Sequence, residues 1–275
     1  MELGIFSRTY ETGDLEETCR RMTAHGLFHT QFNFSNAGLP TLPPVLRDED
    51  LERIKTVTAA HGVTLDALTG TFNMIDRDAD ARRRGCEQFT VQCRGARDLG
   101  IPLVSLCTGS KHPTDKWHWH DDNLSETAWS DLLRSTEAVL KAAETYGVTL
   151  GVETEASNII HTPALARRYL DTFQSPRLKI IMDGANLFRP EQVGDMEAVL
   201  REAFALLGPD IALAHAKDLR RDMAFVAAGQ GDLDFPLYVE LLEEAGYRGP
   251  LVMHGLSEAQ VPASRAFLES ILARA

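Results

Sequence analysis

The chain has 275 residues, is 44% hydrophobic and 25% charged, and carries a formal net charge of −12. That length suits one α/β barrel or two smaller domains, and the composition is that of an ordinary globular protein. The acidic balance argues against a nucleic-acid partner, which needs local basic charge, and no apolar run reaches the length of a membrane span. The opening MELGIFSRTYETGD lacks the basic region and long apolar core of a signal peptide, so a cytoplasmic location is the expectation. Cys19, Cys86, Cys93 and Cys107 show no CxxC spacing and read as reduced thiols.

Strand and helix signals alternate along the whole chain. Residues 3–6 read as the first strand, and Asp14 caps a helix to about His25, with apolar spacing at Leu15, Cys19 and Met22. Residues 28–32 form the second strand, followed by the Pro-rich loop NFSNAGLPTLPPVL and a helix over 48–60. VTLDAL (63–68) is the third strand, followed by a helix over about 79–99, and IPLVSLC (101–107) is the fourth. A long polar loop, TGSKHPTDKWHWHDDN, precedes a helix over about 125–146. Residues 148–153 are the fifth strand, and Thr162–Pro163 opens the next helix as a cap followed by a first-turn proline. Strands at 178–183 and 211–215 flank a helix over about 191–207. A helix starting at Asp234-Phe235-Pro236, a strand at 251–254 and a helix over about 262–273 complete eight βα units. No low-complexity linker interrupts them, so residues 1–275 are expected to form a single (β/α)8 barrel, class α/β.

Four of the apolar runs, VTLGVE, LKIIMD, IALAHA and LVMH, end on or beside a metal-ligand residue type. These residues are Glu153, Asp183, His215 and His254, spaced roughly 30 to 40 residues apart, about one βα unit each. The runs are apolar without clean alternation, as parallel strands buried on both faces are. Strand carboxyl ends converge in such a barrel, so two carboxylates and two imidazoles would meet on one divalent cation. Any one of them alone also reads as a helix cap or a histidine satisfied by a backbone carbonyl. Four in consecutive units point to a site, because capping does not require that regularity.

The motifs GVETEASN (151–158), IIMDGANLF (180–188), LAHAKD (213–218), GQGDLDF (229–235) and EAGYRGPLVMHG (244–255) resemble the xylose isomerase-like barrel family of sugar phosphate isomerases and epimerases. The resemblance covers most of the chain and is stronger in its second half. It implies a TIM barrel with one divalent cation, Mn²⁺, Mg²⁺, Zn²⁺, Co²⁺ or Ni²⁺, and it maps metal ligands onto Glu153, Asp183 and His215. The family's fourth ligand is usually a glutamate closing the eighth strand, where this chain has His254. In related epimerases the cation stabilises an enediolate while two glutamates work on opposite faces of the reacting carbon. Glu153 matches the first of these, and His254 stands in for the second as fourth ligand or as base.

The expected reaction is therefore isomerisation or epimerisation of a small sugar or keto-sugar by proton abstraction beside a carbonyl. The alternative is a metal-dependent lyase or dehydratase acting on a sugar-derived substrate, including an oxidised glycoside. A DNA-repair endonuclease of the same superfamily, or a non-catalytic sugar-binding barrel, fits less well. Candidate substrate-binding residues are Glu155, Asn186, Lys217 and Arg221, with Trp117, His118 and His120 on the loop after the fourth strand. Each also has a structural reading, as a solvated charge, a cap, an ion pair or a packed surface loop. Phe72 and Asn73 are further pocket candidates, whereas His25, His29 and His61 read as structural. GQGDLDF does not follow a strand as a dinucleotide fingerprint would, and reads as a turn with Asp234 as helix cap. Glu258, four residues past His254, is a possible source of the missing carboxylate. Neither a membrane nor a nucleic acid is expected as partner, and a homo-oligomer stays open.

Overall fold

The computed structural model describes residues 1–274. Among these residues, eight parallel strands close into a barrel: β1 (Leu3–Phe6), β2 (His29–Phe32), β3 (Thr64–Thr69), β4 (Leu103–Leu106), β5 (Thr149–Glu153), β6 (Leu178–Asp183), β7 (Ile211–Leu219) and, after one interruption, β9 (Leu251–Met253). Pairing of β6 with β7 and of β1 with β9 completes the ring. The interruption is β8 (Phe225–Ala227), which folds back antiparallel on the far end of β7. The sequence reading ended that strand at 215 and had no β8. The chain instead extends to Leu219, and a tight turn at Arg220–Met223, with Met223 at φ 68°, starts the hairpin.

The surrounding helices are α1 (Leu15–Ala24), α2 (Asp48–Ala60), α3 (Ala79–Leu99), α4 (Glu126–Tyr146), α5 (Pro163–Phe173), α6 (Met196–Leu207), α7 (Phe235–Glu244) and α8 (Val261–Leu272). Several start where a side-chain oxygen satisfies a free amide of the first turn. Asp14 accepts from Glu17 N, Ser125 from Ala128 N, Thr162 from Leu165 N and Asp234 from Leu237 N. α6 begins later than expected, because Pro190–Gln192 form a short 3-10 helix and residues 193–194 a turn, with Asp195 as the cap. Among the described residues, no helix is long and apolar enough to cross a membrane.

Two packed layers follow from strand alternation. The larger lies between barrel and helices. The smaller is the barrel interior, Ala67, Leu103, Ile181, Leu213 and Val252. Gly151 belongs with this inner group, since a side chain there would press on Ile181 and Leu103. Residues two positions further along a strand face the same way. From Gly151, Ile181, Leu213 and Val252 that step leads to Glu153, Asp183, His215 and His254. The same step from Ala67 and Leu103 leads to Thr69 and Ser105. The carboxyl mouth of the barrel is thus lined by whatever residue follows each inner one.

Candidate metal centre

Asp183 and His215 are paired directly across β6 and β7, and both are buried. Asp183 Oδ1 accepts the amide of Ala185 at 3.0 Å, so half of this carboxylate caps the turn after β6. The other oxygen, Oδ2, is buried and has no hydrogen-bond partner. Lys217 Nζ lies 3.2 Å from Oδ2, a charge contact without hydrogen-bond geometry. His215 Nε2 is bonded to Gln31 Oε1 at 2.8 Å, while its Nδ1 is unpartnered. His254 follows β9, its backbone N–H on Ala216 O, and its ring lies between Phe6 and His215. The two imidazoles are parallel within 6°, with centroids 4.9 Å apart, and His254 Nδ1 is likewise buried without a partner. Gly255, at φ 71°, makes the turn that follows, and a side chain there would meet the Lys217 methylenes.

One donor atom from each of Asp183, His215 and His254 lies within 4.8 Å of the others. Each of the three residues also carries a buried polar atom without a partner, Asp183 Oδ2, His215 Nδ1 and His254 Nδ1, which costs free energy unless a further group satisfies it. A carboxylate oxygen and two imidazole nitrogens are the donor set that a divalent transition-metal ion takes. The residues present therefore fit such a cation. Glu153 stands at the edge of the group, its Oε2 3.7 Å from His215 Nδ1. Its other oxygen accepts the Asn186 amide, whose Oδ1 in turn accepts Lys217 Nζ at 2.6 Å.

The charges at the floor are strongly interdependent. Burial raises the Asp183 carboxyl, but Lys217 and His215 outweigh it and hold the group well below the usual range. Burial lowers the His215 imidazole, and the Glu153 and Asp183 carboxylates outweigh that and raise it to about 9. His254 goes the other way: burial, with positive charge on His215 and Lys217, pushes it well below its ordinary value. A neutral imidazole is the form that donates to a metal. Burial lowers Lys217 too, but Asp183, Glu153 and Glu155 overcome it and raise it. Glu155 is raised to about 8, first by burial and then by the Glu153 charge.

Above this floor opens a pocket of about 660 Å³, lined among others by Glu153, Glu155, Asn186, Lys217, His254 and Trp117. Five of the residues singled out in the sequence thus share one cavity with His254, over the buried Asp183 and His215. His118, His120 and Arg221 fall outside the lining. His118 Nδ1 is bonded to Asp115, His120 lies against Arg77 and Asp122, and Arg221 faces Asp232 at the surface. Each is engaged by a local partner on its own loop or the next. Phe72 is packed into the core against Phe89, and Asn73 clamps Ser110. Glu258 turns away to Arg21 and His25 and supplies no carboxylate to the site. Asp218 is buried and accepts the amides of Gly229, Gly231 and Leu233, so it holds the GQGDLDF turn rather than a ligand.

The sequence reading missed Gln31, Thr69 and Ser105, which line the pocket from β2, β3 and β4. For Thr69 and Ser105 the signal is the two-residue step beyond the inner barrel layer, legible only once that layer is known; Gln31 follows a register shift in β2 and has no such signal. Phe225 on β8 and Lys116 beside Trp117 also line the mouth, and neither sits in a motif.

Comparison with known proteins agrees with this geometry. The L-ribulose-5-phosphate 3-epimerase UlaE of Escherichia coli O1:K1 / APEC is 25% identical over 211 residues, which are 74% of this chain and 69% of the relative. The structure of a D-tagatose 3-epimerase-like protein superposes with a TM-score of 0.75 at 16% identity, covering 99% of this chain and 97% of that one. The 3-keto-D-glucoside 4-epimerase YcjR from E. coli gives 0.74 at 18%, covering 98% and 99%. IOLI protein with a binding zinc atom gives 0.74 at 16%, covering 100% and 97%. At these identities the superpositions speak for the fold. The sequence relatives are enzymes of the epimerase class, which supports reading this chain as an enzyme of that kind. The family model described as xylose isomerase-like TIM barrel matches residues 19–271, and the chain belongs to that family.

Proposed function

We propose that the protein is a divalent-cation-dependent isomerase or epimerase that moves a carbon-bound proton beside the carbonyl of a sugar or keto-sugar. The observation that carries this reading is the cluster of donor atoms on Asp183, His215 and His254, each residue also holding a buried unpartnered atom, beneath the pocket that Glu153 lines. These three residues would hold the cation, with Glu153 beside them as further ligand and base. When bound, the cation supplies positive charge that polarises a carbonyl and acidifies the neighbouring C–H.

The chain's own groups supply the rest. Asn186 holds one Glu153 oxygen, which leaves the other free to take the proton. Lys217, fixed by Asn186 and Asp183, presents an ammonium to a substrate oxygen without needing to reorganise. Glu155 holds a proton near neutrality and stands in the same pocket, where it can bond a substrate hydroxyl or return a proton. Trp117 offers an aromatic face at the mouth for a sugar's C–H surface. That UlaE is a sugar-phosphate 3-epimerase supports the sugar class of substrate.

A lyase is the second reading, and one observation favours it. The residue closing β9 is an imidazole where the epimerase device has a second carboxylate, so base and acid are unlike groups, as an elimination needs. Proton NMR of keto-sugars and oxidised glycosides in D₂O, with Mn²⁺- or Zn²⁺-loaded protein, separates the two. Epimerisation gives deuterium beside the carbonyl together with the epimer. Elimination gives an unsaturated product and a released group. No exchange, epimer or elimination across both substrate sets would remove the proton-transfer reading.

A further inference from the structure

We infer that Gln31 is a positioning residue for His215: it accepts the imidazole Nε2–H and so leaves Nδ1 as the electron-pair donor facing Asp183 and Glu153. The inference rests on reading Asp183, His215 and His254 as a cation centre. Gln31 lies in HTQF on β2, far from every motif of the second half, yet its Oε1 is 2.8 Å from His215 Nε2. Both residues are buried, at 4% and 1% exposure, so water does not compete for this bond.

The stack with His254 fixes the plane of the His215 ring but not its direction within that plane. A half-turn about Cβ–Cγ keeps the stack and exchanges Nδ1 for carbon. The bond to Gln31 removes that freedom. The proton's place follows from the amide. Gln31 Nε2 has Thr69 Oγ1 as an acceptor at 3.4 Å, which leaves Oε1 for the ring. With the amide reversed, Gln31 would donate to Nε2 and the ring proton would sit on Nδ1. The nearest carboxylate oxygens to Nδ1, 3.5 and 3.7 Å away on Asp183 and Glu153, form no hydrogen bond with it. In that arrangement both ring nitrogens would be spent, Nε2 on the amide and Nδ1 on its proton, and neither could donate to a cation. A bare Nδ1 in the same place is the donor atom that a cation needs. Ligating histidines are commonly held in this way through their second nitrogen, and losing the partner typically weakens metal affinity about 10–100-fold.

The test uses the full chain with ¹⁵N-labelled histidine, as wild type, Gln31→Leu and Gln31→Glu. His215 is assigned by the loss of its signals in His215→Asn. Without added cation, wild type and Gln31→Glu should show a slowly exchanging His215 Nε2–H that Gln31→Leu lacks. Zn²⁺ titration by calorimetry should show affinity falling about 10–100-fold in Gln31→Leu and recovering in Gln31→Glu, with circular dichroism unchanged. A wild-type His215 carrying its proton on Nδ1 alone, or wild-type Zn²⁺ affinity in Gln31→Leu, overturns the inference. If Gln31→Leu does not fold, the wild-type tautomer and Gln31→Glu still decide it. Wild-type protein that shows the Nε2–H but binds no cation overturns the cation-centre reading while upholding the Gln31 bond.

Discussion

Asp183 and His215 at the floor of the pocket face each other across two paired strands and are almost wholly buried, whereas Trp117 at the rim is 47% exposed on a loop. The floor is held by sheet register: once β5, β6, β7 and β9 pair, the residue two steps beyond each inner side chain must enter the mouth. The rim is held by local chemistry. Lys111 Nζ bonds Asp131 at 2.6 Å, Asn123 Oδ1 accepts the Lys111 amide, and Asn158 Oδ1 accepts the Gly109 amide. His118 and His120 are spent on carboxylates of that loop or on Arg77, so a loop rich in histidines contributes one aromatic and one lysine to the pocket. Residue type alone therefore predicts placement at the pocket better at strand ends than in loops, where a polar group finds a partner nearby.

The largest effect should come from the floor. Asp183→Ala removes the carboxylate that Lys217 and His215 share, and we expect loss of bound cation by elemental analysis and at least about a 10³-fold fall in turnover. Circular dichroism should still report the barrel. Full cation occupancy in this variant would mean that the floor is not a metal centre.

His254→Ala divides the floor's two chemistries. If His254 is a ligand, the variant should bind cation more weakly and His254→Glu should restore it. If it is a base, cation stays while kcat falls about 10²–10⁴-fold and the acid limb of the rate profile is lost. Unchanged cation and unchanged turnover would defeat both roles.

The rim's anchor should fail through stability. Asp131 and Lys111 are side chains of 5% and 7% exposure, so Asp131→Asn should cost about 3 kcal/mol or more, read by denaturant titration. Burial raises the Asp131 carboxyl, but the bonds from Lys111 and Arg134 outweigh it and lower it below 3.8. A group lowered on folding stabilises above its unfolded value, so this contribution is complete above about pH 4 and drains away as pH falls further. Hydrogen exchange over residues 108–124 should speed up in acid before the barrel strands do. Simultaneous opening of loop and barrel would erase the distinction between rim and floor.

The smallest effects belong to the mouth. Replacing Trp117 and Trp119 by Ala should raise KM several-fold with little change in melting temperature, since both rings are partly solvated. Arg221→Ala should leave kinetics unchanged, because its neighbour is Asp232 rather than the pocket. An Arg221 effect on KM larger than that of the two tryptophans would invert this order.

The sequence by itself determined the elements. The identities of the eight barrel strands and eight helices, the caps at Asp14, Thr162 and Asp234, and the strand-end positions of Glu153, Asp183, His215 and His254 follow from short-range rules of period, capping and turn residues. These act within a few residues and leave their mark in the linear chain. Tertiary structure alone decided which partner each side chain met. Nothing local in HTQF says that Gln31 will meet His215, 184 residues on. Nothing past Gly255 says that Glu258 will turn to Arg21 and His25. The hairpin that brings Phe225 to the mouth depends on β7 outrunning the barrel, and three residues carry too little pattern to announce β8. Barrel closure and its register join residues from opposite ends of the chain, and that geometry is set by the packing of all eight strands together.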